Sequence, residues 1–186
     1  MRKFLIATCL TTAAFAMPAF AQDMGSVTGT MSAADVGAGP MVGTPPENYV
    51  AWAADGDLYE IQSSKLALSK GKSDAVKSMA REMIADHTTT TKTLVAALPN
   101  TSPKIAKPPM KLSAANAALI DQLKQAPTDG FDALYLQQQL QAHQKAWALH
   151  KGYSTDGTDP ALKQVATSAV PIIEKHLQHL KMPTGM

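Results

Sequence analysis

Four long segments of this chain repeat apolar residues with the 3.6-residue period of an α-helix, and caps or breakers mark their ends. Ser73 and Asp159 stand at N-cap positions, Pro160 follows at a first helical position, and Gly71 ends the first segment. The helices are predicted over residues 45–70, 73–98, 129–152 and 160–182. The alternation of apolar and polar residues that is typical of strands is absent, so the sequence predicts an all-α fold.

The lengths of the connections predict how these helices pair. The first helix is separated from the second by only two or three residues, and a short loop also joins the last two, so each pair forms an antiparallel hairpin. A long crossover over residues 99–128 joins the hairpins, and it carries a short extra helix over residues 113–126. Two hairpins joined in this way are the plan of a ferritin-like four-helix bundle, which we predict over residues 46–181.

The N-terminus has the pattern of an exported protein. Two basic residues precede an apolar run over residues 4–17, and residues 19–21 (Ala-Phe-Ala) supply the small residues that signal peptidase reads. Residues 1–21 are therefore predicted to be a signal peptide that is cleaved after Ala21, which implies a periplasmic or secreted protein. The run is shorter than the ~20 residues that a membrane span needs, and no later segment is apolar enough to span.

Residues 22–45, which follow the signal peptide, are predicted to be a flexible leader because they lack an apolar stripe to bury.

The composition of the mature chain excludes two classes of function. Loss of Arg2 and Lys3 lowers the basic residues from 17 to 15, equal to the 15 acidic residues, so no basic stripe is expected for nucleic acid. Cys9, the only cysteine, leaves with the signal peptide, so no thiolate remains to act as ligand or nucleophile.

One polar residue that could bind metal interrupts the apolar stripe of each long helix. These residues are Glu60, His87, His143 and His176. A buried carboxylate without a partner is destabilising, and a neutral imidazole needs both a donor and an acceptor. A divalent metal would satisfy all four residues at once, and imidazole with carboxylate suits Zn, Fe, Mn or Cu. We therefore predict a metal site formed by these four side chains.

Heights along the bundle test this prediction. At 1.5 Å per residue, Glu60 lies ~17 Å and His87 ~21 Å from the turn that joins the first two helices, and His143 lies at a similar mid-height. His176 joins this layer only if the crossover does not span the bundle, and otherwise lies ~10 Å away. Asp86 and Glu82 flank the second stripe, either as partners of the ligands or as solvated residues.

The same pattern also allows a structural interpretation. The polar residues could form a hydrogen-bonded core layer, with Glu60 accepting from His87 and His143, in a non-catalytic envelope protein that acts through its surface. The sequence identifies no protein partner for such a surface. Catalysis by a serine nucleophile is not expected, because the chain has no G-x-S-x-G motif and no strand–turn–helix to hold one.

These residues also resemble a known family. The matching pattern consists of Glu60, Met83-Ile84-x-Asp86-His87, Phe131-Asp132-x-x-Tyr135 with His143, and Pro171-x-x-Glu174-x-His176-Leu177. Over residues 46–181 it is similar to the bacterial DUF4142 family, whose members are grouped with ferritin-like folds and labelled exported or outer-membrane proteins without an established activity. The resemblance implies a ferritin-like fold and polar positions at Asp86, His87 and the later histidines.

The chain departs from the pattern of di-iron ferritins. Those proteins need Glu-x-x-His pairs, whereas Glu82 lies five residues before His87 and only one inward carboxylate is evident in the stripes. A bridged di-iron ferroxidase centre is therefore not expected.

We expect the exported form to begin at Gln22, because the small residues before it form the cleavage site. Mass spectrometry of the N-terminal peptide from periplasmic or secreted material checks this prediction. An intact Met1 in that material would contradict it.

Overall fold

In a computed structural model, residues 30–182 are described, and this part of the chain is all-helical, as the sequence predicts. Its helices are α1 (Ala33–Val36), α2 (Pro46–Lys70), α3 (Asp74–Ala97), α4 (Ala114–Gln125), α5 (Phe131–Asp156) and α6 (Pro160–Lys181). A 3-10 turn, Leu98–Asn100, follows α3. Within the described range no helix is both long and apolar enough to cross a membrane. The predicted signal peptide, residues 1–21, lies outside the described residues.

The four long helices enclose a shared interior. Helix α2 packs along α3, and α5 packs along α6, as the short connections predict. Contacts of α2 with α5 and of α3 with α6 join the two hairpins. Helix α4, the predicted short helix of the crossover, packs mainly on α2. Each long helix therefore turns one face towards two others, and the polar residues of those faces share the interior.

The crossover runs from one end of the molecule to the other. Its first part is fixed near the start of α6, where the Ser102 amide donates to Asp159 at 2.9 Å. Its last part lies near the end of α2, where the Lys70 ammonium donates to the carbonyls of Leu123 and Ala126. Helix α5 therefore starts at the end of the molecule where α2 and α3 are connected.

Helix α5 does not end at Gly152 as predicted but continues to Asp156. Gly152 lies inside the helix, where a Cβ atom would overlap the backbone of Met41. The Met41 amide donates to the Ala148 carbonyl at 2.7 Å, so the two backbones are in direct contact. This glycine allows a close approach and is not a helix terminator, which is why the sequence signal was misleading.

Residues 30–45, which we call the N-terminal strap, pack on α5 and α6. Val36 is fully buried in a cluster with Trp147, Ile173 and Leu177. At the end of the strap, the Gly43 amide donates to the Asp156 carboxylate at 2.6 Å. The prediction of a flexible leader is therefore wrong for this part, because one apolar side chain and a few backbone hydrogen bonds fix it. Residues 22–29 of that leader lie outside the described residues.

We expect Gly152→Ala to destabilise the protein by about 1–3 kcal/mol, because the added methyl group displaces the strap. The control is Gly56→Ala, also inside a long helix, where a Cβ atom would meet nothing within 4 Å. That variant should gain up to about 1 kcal/mol from the better helix propensity of alanine. Urea melts of both variants measure the difference, and equal shifts would show that the strap does not pack on α5.

Candidate metal centre

The four residues that the sequence predicts as metal ligands meet in the interior. Glu60, His87, His143 and His176 come from α2, α3, α5 and α6, and their exposed fractions are 3%, 4%, 0% and 0%. The histidines each offer a ring nitrogen, and these three atoms lie within 4.8 Å of one another. Glu60 lies beside His143, with 3.5 Å between Oε1 and Nδ1. We call these four side chains the Glu–His cluster; their role as metal ligands stays a prediction.

His176 joins the cluster although the crossover spans the molecule, which contradicts the sequence-based estimate of its height. The reason is the length of α5. Its four extra residues, from 153 to 156, move the start of α6 about 6 Å further along the helix axis. His176 then lies level with His143, and their ring centroids are 5.1 Å apart.

His87 is fixed by a carboxylate that the sequence analysis missed. Its Nδ1 lies 2.8 Å from Oδ1 of the buried Asp57. The same carboxylate accepts from the hydroxyls of Thr90 and Thr91 at 2.9–3.0 Å. Asp57 precedes Glu60 by three residues, so the two share one face of α2. That spacing is the signal by which the sequence could have identified it.

The rings of His143 and His176 are each held by an oxygen on their outer side. Nδ1 of His143 lies 2.8 Å from the carbonyl oxygen of Gln139, one turn earlier in α5. Nε2 of His176 lies 2.9 Å from Oδ2 of Asp86 on α3. Their inner nitrogens, Nε2 of His143 and Nδ1 of His176, face each other at 3.0 Å.

This contact between nitrogens is unsatisfied when both rings are neutral. Carbonyl and carboxylate oxygens only accept hydrogen bonds, so the nitrogens that face Gln139 and Asp86 must carry the protons. Two neutral rings have only those two protons, and their inner nitrogens then bring two lone pairs together at 3.0 Å. Either a third proton or a bound cation is needed to make the contact favourable.

Burial disfavours the third proton. It lowers the pKa of His143 well below its ordinary value, and the neighbouring charge of His87 lowers that pKa further. Burial also lowers the pKa of His176 to about 4, although the hydrogen bond to Asp86 acts in the opposite direction. Both rings are therefore neutral near pH 7, and a metal ion is the cation that suits their lone pairs.

The pKa values of Glu60 and His87 are raised, whereas those of His143 and His176 are lowered. Burial raises the pKa of Glu60 to about 7, and the charge of His87 only partly offsets this effect. For His87, burial favours the neutral ring, but the hydrogen bond and charge of Asp57 and the charge of Glu60 raise its pKa overall. Oε2 of Glu60 and Nε2 of His87 are buried without hydrogen-bond partners. The cluster thus has two further unsatisfied atoms, and of these two residues His87 belongs to the group of three histidines whose nitrogens lie close enough to hold one metal ion.

A charged group on the surface borders the cluster behind His176. Lys175 forms ion pairs with Glu82 at 2.8 Å and with Asp86 at 2.9 Å. These contacts decide between the two alternatives that the sequence left open. Asp86 orients a ring of the cluster, whereas Glu82 pairs with Lys175 and lies 3.6 Å from the half-exposed His179.

Fold and cluster together define the class: an all-helical protein whose four long helices each contribute one residue to the buried Glu–His cluster. The chain belongs to the family described as Domain of unknown function (DUF4142), which it matches over residues 31–182. The predicted resemblance is thereby confirmed, and the match includes nearly all of the N-terminal strap. No curated protein and no solved structure matches this chain. The chemistry of the site therefore follows from its residues.

A fourth buried histidine lies near the cluster and gives a test of the electrostatics. Nδ1 of His150 lies 2.9 Å from the hydroxyl of Tyr49, and burial lowers the pKa of His150 to about 4. An unfolded histidine has a pKa of about 6.5, so between these values the unfolded chain binds more protons. The neutral His150 ring therefore contributes its full stabilisation above pH ~6.5. This contribution, up to about 3 kcal/mol, is lost as pH falls towards 4.

We therefore expect His150→Gln to reduce the slope of the unfolding free energy against pH between pH 6.5 and 4.5. The reduction should equal the contribution of about one proton, or about 1.4 kcal/mol per pH unit. Urea melts at several pH values measure this slope. The matched control is His179→Gln, at a half-exposed surface position, which should leave the slope of the parent. Parallel profiles for parent and His150→Gln would show that this ring is charged or solvated in the folded protein.

Proposed function

We propose that this protein is a ferritin-like four-helix bundle that binds one divalent transition metal ion in its interior. His87, His143 and His176 would each supply a ring nitrogen, and Glu60 would supply a carboxylate oxygen. The observation that carries the proposal is the orientation of the three rings. Each has one nitrogen on an oxygen acceptor and keeps the other nitrogen for the interior.

Such orientation is what a histidine metal site requires. A ligating histidine donates its second N–H to a carboxylate or a carbonyl, which fixes the tautomer and increases the basicity of the ligand nitrogen. Here Asp57, Gln139 and Asp86 take that role for the three rings. Tetrahedral bonds of about 2.0–2.1 Å to zinc hold two ligand nitrogens about 3.3 Å apart. The inner nitrogens of His143 and His176 are already 3.0 Å apart.

The donor set narrows the choice of metal and of role. Three imidazoles and one carboxylate suit Zn, Fe, Mn or Cu. With a single carboxylate among the four ligands, the site favours one ion over the bridged pair of a di-iron centre. Four protein ligands close a tetrahedral site, which is typical of structural or holding sites, whereas catalytic sites keep a position open. We therefore infer a protein that holds metal rather than an enzyme.

We also propose that the protein holds its metal ion outside the cytoplasm. The basic and apolar N-terminal residues and the Ala-Phe-Ala sequence before Gln22 support export to the periplasm or beyond. There the protein would hold the ion without thiolates, since Cys9 precedes the cleavage site. Imidazole and carboxylate ligands do not oxidise as thiolates do, so they suit an oxidising compartment.

We expect the purified protein to bind Zn²⁺ with a Kd below ~1 μM, as measured by calorimetry after dialysis against EDTA. His143→Ala should abolish binding at this level, and Asp57→Asn should weaken it by about 10- to 100-fold, because Asp57 orients His87. The matched control is His179→Ala, a histidine at the surface, which should bind as the parent does. Binding by His143→Ala at the parental affinity would refute the site.

Thermal melts separate this proposal from the structural alternative. The observation that favours a structural layer is that His87, Asp57 and the two threonines already form a hydrogen-bonded network. Bound Zn²⁺ at 100 times its Kd stabilises by about 2.7 kcal/mol, which raises the Tm by about 5–10 °C. EDTA should remove that increase. A Tm that responds to neither zinc nor EDTA would favour the structural layer.

A further inference from the structure

A cavity of about 290 Å³ lies between α2, α5 and α6, on the side of the Glu–His cluster that faces Glu60 and His87. Its apolar walls are small or aliphatic residues from these helices: Ala53, Ala142, Ala146, Leu149, Ile172 and Ile173. Asp55, Asn116 and Lys145 also line it. An apolar cavity of about 150 Å³ is large enough to bind benzene. This cavity therefore has room for a molecule of about two fused rings.

Gly56 keeps one wall of the cavity open. It lies in the middle of α2, where glycine lowers helix stability relative to alanine. No close packing requires it, because a Cβ atom there would meet nothing within 4 Å. This differs from Gly152, where the backbone of Met41 excludes any side chain. A helix glycine beside empty space leaves volume for something other than the protein's own side chains.

The mouth of the cavity carries large apolar side chains that are exposed. Trp52 is 48% and Met41 is 41% exposed, and both line the cavity. They are two of only five large apolar residues exposed in the part of the chain that the structure describes. Their exposed area gives an apolar molecule a surface to contact as it enters.

The inner end of the cavity has the opposite character. Glu60 and His87 line it, and each has one buried atom without a hydrogen-bond partner, Oε2 and Nε2 respectively. Oε2 is an acceptor when the carboxylate is ionised, and Nε2 donates or accepts according to its protonation. A hydroxyl group can donate its one proton to Oε2 of Glu60 and accept from a protonated Nε2 of His87, so it suits both atoms. A carboxylate would lie against Glu60 and Asp57 and is disfavoured there.

We propose that this cavity binds a small neutral molecule of one or two rings, with a hydroxyl group directed to Glu60 and His87 and its apolar body between α2, α5 and α6. The proposal goes beyond the metal site, because the apolar walls belong to other residues. Its polar end, Glu60 and His87, is shared with the proposed metal ligands, so a hydroxyl group and a metal ion would compete for the same two atoms. The apolar walls provide affinity and the inner polar atoms provide specificity, as in most small-molecule sites.

Three matched probes test the proposal: 2-naphthol, naphthalene and 2-naphthoate. Binding to the full protein is measured by equilibrium dialysis in EDTA, so that no metal ion contributes to the result. We expect 2-naphthol to bind with a Kd below ~100 μM. Naphthalene should bind about tenfold more weakly for want of the hydroxyl hydrogen bond, and 2-naphthoate should not bind below ~1 mM.

Variants of two residues that line the cavity, Gly56 and Glu60, test whether the probes bind inside it. Gly56→Phe fills the open wall and should weaken 2-naphthol binding at least tenfold, whereas Gly56→Ala should stay within about twofold of the parent. Glu60→Leu removes the acceptor of the hydroxyl proton and leaves only His87 at the inner end, so the preference for 2-naphthol over naphthalene should fall at least threefold. This second arm remains informative if Gly56→Phe does not fold.

Three results would overturn the proposal. The first is that none of the ring probes binds the parent below ~1 mM, and the second is that Gly56→Phe binds 2-naphthol as the parent does. The third is that Glu60→Leu keeps the full preference for 2-naphthol, which would refute the placement of the hydroxyl. None of these results tests zinc binding by the Glu–His cluster, because the assay contains no metal.

Discussion

The 3.0 Å contact between the inner nitrogens of His143 and His176 is the constraint on which the rest of the interior depends. Oxygens of Gln139 and Asp86 take the outer protons, so two neutral rings bring only lone pairs to this contact. Burial lowers the pKa of both rings and disfavours the proton that would relieve it. A protein interior retains such an arrangement when another group satisfies it, and the divalent cation that we propose would do so directly.

The fold brings these rings together through helix lengths. Helix α6 starts where α5 ends, so each residue added to α5 moves His176 by about 1.5 Å relative to the other helices. The four residues of α5 beyond Gly152 bring it level with His143. That extension is compatible with the N-terminal strap because Gly152 has no side chain to displace Met41. A backbone contact near the surface and a buried cluster thus depend on the same helix.

The Glu–His cluster and the neighbouring cavity have different chemistry although they share two residues. On the cluster side, Glu60 and His87 face other polar rings, with oxygens around them to fix tautomers. On the cavity side, the same residues end a volume with largely apolar walls. Metal affinity depends on ligand orientation, and binding of an organic molecule depends on empty apolar space. The two proposals therefore rest on different features, the orientation of the rings and the empty apolar volume, and share the unpartnered atoms of Glu60 and His87.

The sequence by itself determined the all-α class, the family, and the inward direction of Glu60, His87 and His143, because helical periodicity depends only on residues three to seven positions apart. It did not determine that Asp57 orients His87, that His176 reaches the cluster, or that residues 30–45 pack as a strap. Those features depend on the relative height and distance of segments far apart in the chain. Such quantities are set by the lengths and packing of whole helices, which only the tertiary structure decides.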